Sequence, residues 1–207
     1  MIPELRKRFN AHWQPELYTR FLHRANETAG TRIEFRLNET PVFLPRTLLD
    51  KMVRYGLELY EQIGSNTEYR KASDAAIPKS FYVPHEDRHP LFMQVDFGLI
   101  RQPDGTFEPR LVEIQGFPSV YGFQVAVSAG YAETYRLDDI SGCHLTSFLG
   151  GLEHDSYRAL LKKVILGNHA PENVVLLEID PYGQKTLPDF LITQRWLGLR
   201  IACISDV

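Results

Sequence analysis

The chain has 207 residues, 43% apolar and 24% charged, with a formal net charge of −3; this globular mix excludes a wholly disordered or fibrous chain and allows one large domain or two small ones. The near-neutral balance offers no basic excess for nucleic acid, and no apolar run approaches the roughly 18–20 residues that span a bilayer. The N-terminal segment is too charged for a signal peptide, and Cys143 and Cys203 are too few for a disulfide framework or zinc site, so the expectation is a soluble cytoplasmic protein with no membrane or nucleic-acid partner.

Residues 3–75 read as mostly helical. Leu48, Leu49, Met52, Val53, Leu57, Tyr60 and Ile63 recur at three- and four-residue spacing, which marks an amphipathic helix ended by Gly64-Ser65. Before it, Arg32-Ile33-Glu34-Phe35-Arg36-Leu37 alternates strictly and predicts a half-buried strand. Pro41 and Pro45 exclude helix from the segment that follows. After an irregular stretch over 77–90, two strands are expected over 91–101 and 107–115, with Asp104-Gly105 between them as a strong hairpin signal. A helix over 120–136 follows. In the last stretch, Asp155 and Ser156 can cap a helix over 157–166. The apolar run over 173–180 reads as a strand buried on both faces. With a helix over 189–197 and a strand over 200–204, it forms a βαβ unit, expected to cross over right-handed. This unit ends as its second strand ends, so the chain reads as the front part of a longer protein.

The hairpin carries the most informative chemistry. A two-residue Asp104-Gly105 turn sets Pro103 opposite Thr106, and the same register sets Asp96 opposite Glu113 and Gln94 opposite Gln115. Alternation puts these four side chains on one face, with Val95/Ile114 and Phe97/Val112 on the other and Arg101 facing Glu108. Opposed carboxylates repel by a few tenths to about 1 kcal/mol. Three compensations are open: a lysine or arginine from elsewhere, full exposure to water, or a divalent cation. Carboxylates and an amide carbonyl are the hard oxygen donors that Mg²⁺ takes together with nucleotide phosphates.

The segments Gln94-Val95-Asp96 and Leu111-Val112-Glu113-Ile114-Gln115-Gly116-Phe117-Pro118-Ser119 resemble the hairpin of glutathionylspermidine synthase-like, circularly permuted ATP-grasp ligases. That family carries Arg-x-Asp, then Leu-x-Glu-x-Asn, then a Pro-Ser turn into a helix. Residues 174–207, with Asp180, Gln184-Lys185-Thr186 and Asp189-Phe190, are similar to the α/β portion that follows. The resemblance implies ATP-dependent joining of a small-molecule carboxylate to an amine through an acyl phosphate, with Mg²⁺ and ATP as cofactors. It makes Asp96, Glu113 and Gln115 metal ligands, Gln94 and Gln115 nucleotide-side residues, and Pro118, Ser119 and Gln124 substrate-side residues, with Ser119 near a helix N-terminus that favours anions. It identifies no catalytic residue.

Two departures stand out. Gln94 occupies the family's arginine position and Gln115 its asparagine position. No Gly-rich phosphate loop is present, so the chain carries half of a site and is expected to be inactive alone. Arg70, Lys71, Lys79, Arg88 and Arg110 are candidate phosphate contacts that read equally as solvated surface charge. The expected fold is α/β: a helical N-terminal part, a mixed sheet holding the hairpin and the C-terminal βαβ, pre-ATP-grasp-like, divided as 1–139 and 155–207. The alternative function is a non-catalytic ligand-binding or structural domain derived from that family.

Overall fold

The computed structural model describes residues 2–87, 89–116 and 120–207. Its contacts group the chain into two units, one made of residues 44–118 and the other of residues 2–43 with 119–207. The division cuts across sequence order: the first two helices share a unit with the C-terminal βαβ, and the hairpin belongs to the other.

The hairpin unit contains α3 (Arg46–Ser65), α4 (Thr67–Ala76), β1 (Gln94–Arg101) and β2 (Phe107–Gln115). Asn66 ends α3 and its side chain accepts the Tyr69 N–H, capping α4. Helix α3 lies against the hairpin at Gly56, where an added Cβ would meet Val95 Cγ2 at 3.6 Å. Val95 therefore faces the helix, and Gln94 and Asp96 face the other way. Leu48 and Pro109 are buried, while Leu57, Phe81, Tyr82 and Val112 are largely exposed.

The second unit contains α1 (Pro3–His12), α2 (Pro15–Ala29), α5 (Tyr121–Tyr135), α6 (Leu137–Ser141), α7 (His154–Leu166), β3 (Val175–Glu178), α8 (Leu187–Leu197) and β4 (Arg200–Cys203). Pro3 and Pro15 open their helices at positions that need no N–H. Phe9, Phe21, Ala25, Leu37, Phe43, Phe123, Tyr135, Leu137 and Ile192 form one buried cluster. Phe21 stacks on Tyr131 with ring centroids 4.0 Å apart.

Residues 32–37 are irregular, with a bend at Phe35, and pair with no strand, which corrects the expected β-strand. The alternation still sorts the side chains, with Ile33, Phe35 and Leu37 turned inward and Arg32, Glu34 and Arg36 outward. Side chains satisfy the backbone in place of a ladder. Asn26 Oδ1 accepts the Ile33 N–H at 2.8 Å, Tyr18 donates to Leu37 O at 2.7 Å, and the Tyr131 and Tyr135 hydroxyls donate to the carbonyls of Asn38 and Glu39.

The β-structure consists of two separate two-stranded sheets, the antiparallel β1–β2 hairpin and the parallel β3–β4 pair, not one mixed sheet. Strand β4 follows β3 through α8, as a βαβ unit requires, with Val175 opposite Arg200 and Glu178 opposite Cys203. Leu177 is 48% exposed, so the apolar run does not mark burial on both faces. The cap of α7 also differs from expectation. Glu153 and Ser156 form a reciprocal capping box, with the N-cap two residues before the expected Asp155. Among the described residues no helix is long and apolar enough to cross a membrane.

Candidate functional site

The hairpin turn is longer than a two-residue loop. The Gln102 N–H donates to Thr106 O at 2.8 Å and the Gly105 N–H to Gln102 O at 2.9 Å. Pro103-Asp104-Gly105 therefore form a three-residue loop, with Gly105 at φ +84° where glycine is free of strain. The Asp104 carboxylate accepts the Thr106 hydroxyl at 2.6 Å and its N–H at 2.9 Å. These bonds, the hydroxyl's first, hold its pKa below the ordinary carboxylate value.

The extra loop residue slips the register near the turn. Ile100 faces Glu108 and Phe97 faces Leu111, so the expected Arg101–Glu108 and Phe97–Val112 pairs do not form. Glu108 instead accepts Lys51 Nζ and, at 3.1 Å, the Tyr55 hydroxyl, both from α3. The Lys51 hydrogen bond keeps Glu108 below the usual carboxylate range and raises Lys51 above its own. This contact ties the turn half of the hairpin to the helix.

A β-bulge between Asp96 and Phe97 then takes up the slip. Val112 is its extra residue, 67% exposed. Beyond it the pairing is Asp96 with Glu113, Val95 with Ile114 and Gln94 with Gln115. The carboxylates do face each other, but through a three-residue loop compensated by a bulge. Bulges recur where a strand must re-aim its side chains.

Gln94 Nε2 donates to Asp96 Oδ1 at 2.9 Å. Gln115 Nε2 donates to Glu113 Oε1 at 2.5 Å and to Asp96 Oδ2 at 3.4 Å. Among the described residues no Lys, Arg or His forms an ion pair with either carboxylate. Of the three compensations open to the sequence, a protein cation is therefore not the one used among the described residues; neutral amides bridge the pair. Asp96 is partly buried and Glu113 exposed, so the oxygens are accessible. No group of three or more His, Cys, Asp or Glu that could hold a metal occurs among the described residues. The donor set fits Mg²⁺ all the same, because that ion takes one or two carboxylates and fills its remaining positions with water and phosphate oxygens. Turning either amide over presents its carbonyl oxygen in place of its NH₂.

The remaining expected residues do not join this cluster. Gln124 is exposed on the first turn of α5, in the other unit. Pro118, Ser119 and Arg88 lie outside the described residues. Arg70, Lys71, Lys79 and Arg110 are exposed, and Lys71 pairs with Glu68 at 3.2 Å.

The start of α5 is already occupied by a protein anion. Asp189, in the first turn of α8 and 6% exposed, accepts the Gly122 and Phe123 N–H groups on Oδ1 at 3.0 and 2.9 Å and the Val120 N–H on Oδ2 at 3.0 Å. Three of the N–H groups expected to favour a substrate anion thus belong to Asp189. Burial pushes this carboxyl up from its ordinary pKa, opposed by the three backbone donors. The neighbouring Tyr157 hydroxyl is also raised, by burial and then by the Asp189 charge. Glycine at 122 permits the close approach: a Cβ there would meet Ile192 Cγ2 at 3.1 Å and Thr193 Oγ1 at 3.2 Å. Neither Asp189 nor Val112 was legible as a site-forming residue. Asp189 reads as an ordinary first-turn acid of its own helix, and a bulge has no signature in an alternating strand.

No protein-family model, curated protein or solved structure matches the chain.

Proposed function

We propose that the β1–β2 hairpin is the divalent-cation and nucleotide-phosphate element of an ATP-grasp-type carboxylate–amine ligase, and that the βαβ is part of a pre-ATP-grasp-like arrangement. One observation carries this reading. Asp96 and Glu113 are directly opposed on an accessible face, and their protein partners there are neutral amides. Like charges so placed attract a cation, and oxygen donors select a hard one.

In such a reaction a substrate carboxylate oxygen attacks the γ-phosphorus of ATP and ADP leaves. The amine then attacks the acyl carbon, orthophosphate leaves, and the nitrogen loses a proton. When bound, Mg²⁺ supplies charge neutralisation at the phosphates. Asp96 and Glu113 would hold the ion. Gln115 fixes the two carboxylates relative to each other, and Gln94 fixes Asp96. Gln94 is neutral where the family has arginine, so this position adds no positive charge to the transferring phosphoryl group.

Binding of a fluorescent ATP analogue tests the reading. It is expected to require Mg²⁺ and to weaken at least about tenfold, or roughly 1.4 kcal/mol, in the Asp96→Asn/Glu113→Gln double variant. Binding that Mg²⁺ does not strengthen, or binding in Mg²⁺ that is unchanged in that variant, contradicts it. The amide bonds to both carboxylates favour a second reading, a non-catalytic domain that retains the hairpin. Absence of any nucleotide binding supports that one.

A further inference from the structure

We infer that the corner of the second unit where α2, α5 and α6 meet binds a small, multiply charged phosphate ligand of the diphosphate kind. A cleft of about 350 Å³ there is lined by Arg20, Arg24 and Arg136 together with Glu27, Glu133 and Thr134. A second, of about 530 Å³, is lined by Arg8, His12, Arg136 and Asp139, with Ala11 and Ile140. Arg136 lines both, so the two clefts flank one guanidinium. Against Arg8, Arg20, Arg24 and Arg136 stand Glu27, Glu133 and Asp139, so the corner carries a formal excess of one positive charge on a chain whose net charge is −3.

The charges are available to a ligand. Arg20 has no acidic partner among the described residues. Arg24 pairs with Glu133, and Arg136 pairs with Asp139 at 2.5 Å. Both pairs are exposed, with Arg136 74% accessible, and exposed pairs are weak enough to exchange for a better anion. Guanidinium forks match phosphate oxygens two at a time, which an ammonium cannot do.

A second, independent feature points the same way. Thr134 lines the smaller cleft and is 9% exposed, and its hydroxyl is shielded from solvent with no hydrogen-bond partner among the described residues. A buried hydroxyl without a partner is uncommon in a folded protein, and a turn of the Thr134 side chain towards the cleft would let it donate to an anion oxygen. The C-cap of α5 is unusual as well. Arg136 holds φ +51°, a left-handed conformation that helices usually give to glycine. Two clefts about one arginine suit a ligand with two linked phosphates better than a single one. This site shares no residue with the hairpin carboxylates and does not depend on the ligase reading.

The test is calorimetric titration of the intact chain with pyrophosphate at low ionic strength, with EDTA present so that no metal contributes. Binding tighter than about 1 mM is expected, weaker for orthophosphate and weakened by added salt. Arg20→Ala combined with Arg136→Gly should lower the affinity at least about tenfold. Because glycine adopts the left-handed cap freely, Arg136→Gly alone should hold or raise the melting temperature, which separates lost binding from lost folding. Thr134→Val should also raise the melting temperature, by removing the orphaned hydroxyl, while weakening pyrophosphate. No heat at millimolar pyrophosphate, equal affinity for orthophosphate, or unchanged affinity in the double variant overturns the inference.

Discussion

Asp189→Ala is expected to destabilise the unit that contains it by about 3–4 kcal/mol. The substitution strips the acceptor from three backbone N–H groups at the start of α5. Each buried donor left unsatisfied costs about 1–3 kcal/mol, and partial hydration of the vacated space brings the sum to the stated range. Val120 adds to the effect. It holds φ +67°, a conformation that costs a β-branched residue about 1–2 kcal/mol, and its N–H bond to Asp189 is a contact that holds it there. Asp189→Asn should lose less, because Asn keeps an oxygen for Gly122 and Phe123 but turns an N–H₂ towards the Val120 N–H.

The comparison of wild type with Asp189→Asn also has a pH signature. Burial raises the folded-state pKa of Asp189 above its ordinary value of 3.8. The folded state therefore binds the proton more tightly than the unfolded one. That contribution is fully present below pH 3.8 and is lost as pH rises through the raised value. The wild-type advantage over Asp189→Asn should shrink as pH rises through that window. Urea unfolding followed by tryptophan fluorescence reads the right unit, since Trp13 and Trp196 both pack against its core. A loss below about 1 kcal/mol for Asp189→Ala would contradict this account.

Phe21→Ala is expected to cost about 3–5 kcal/mol, as for a fully buried aromatic. Phe21 is 0% exposed and lies at the centre of the aromatic cluster, 4.0 Å from Tyr131 and 6.2 Å from Tyr135 between ring centroids. Those two tyrosines donate to the carbonyls of Asn38 and Glu39, so the cavity would also loosen the chain just after Leu37. Phe21→Leu refills most of the space and should cost about 1–1.5 kcal/mol. Equal losses for the two variants would show that packing volume is not what Phe21 contributes.

What could be read from the sequence followed local rules. The spacing of Leu48, Met52 and Ile63 lies in α3, and the alternation over 107–115 gives β2 with its observed bounds. The βαβ unit was legible from two apolar runs and the helical pattern between them. Features set by distant residues were not. Residues 32–37 alternate as a strand does, yet tyrosine hydroxyls from α2 and α5 bond the segment's far end and Asn26 its start, and spacing cannot reveal such partners. The two-residue turn and the regular ladder were both departures from the structure, and they cancel at Asp96 and Glu113 because Val112 adds the residue that the longer loop removes. Opposed carboxylates were therefore legible, whereas the Lys51–Glu108 link was not, because it joins the hairpin to a helix more than fifty positions away. Asp189 shows the same limit. Its neighbours in sequence mark it as a helix-start acid, and only the packing of α8 on α5 turns it into the cap of another helix.

Calorimetric titration of the intact chain with Mg²⁺ in the absence of nucleotide tests the cation assignment most directly, with the Asp96→Asn/Glu113→Gln variant as its comparison. The account predicts saturable binding to the wild type and none to the variant. The metal-free variant should meanwhile be more stable than wild type by a few tenths to about 1 kcal/mol, because the repulsion between opposed carboxylates is gone. Absence of Mg²⁺ binding to the wild type, or an identical titration for the variant, would contradict the assignment of Asp96 and Glu113 as a cation site.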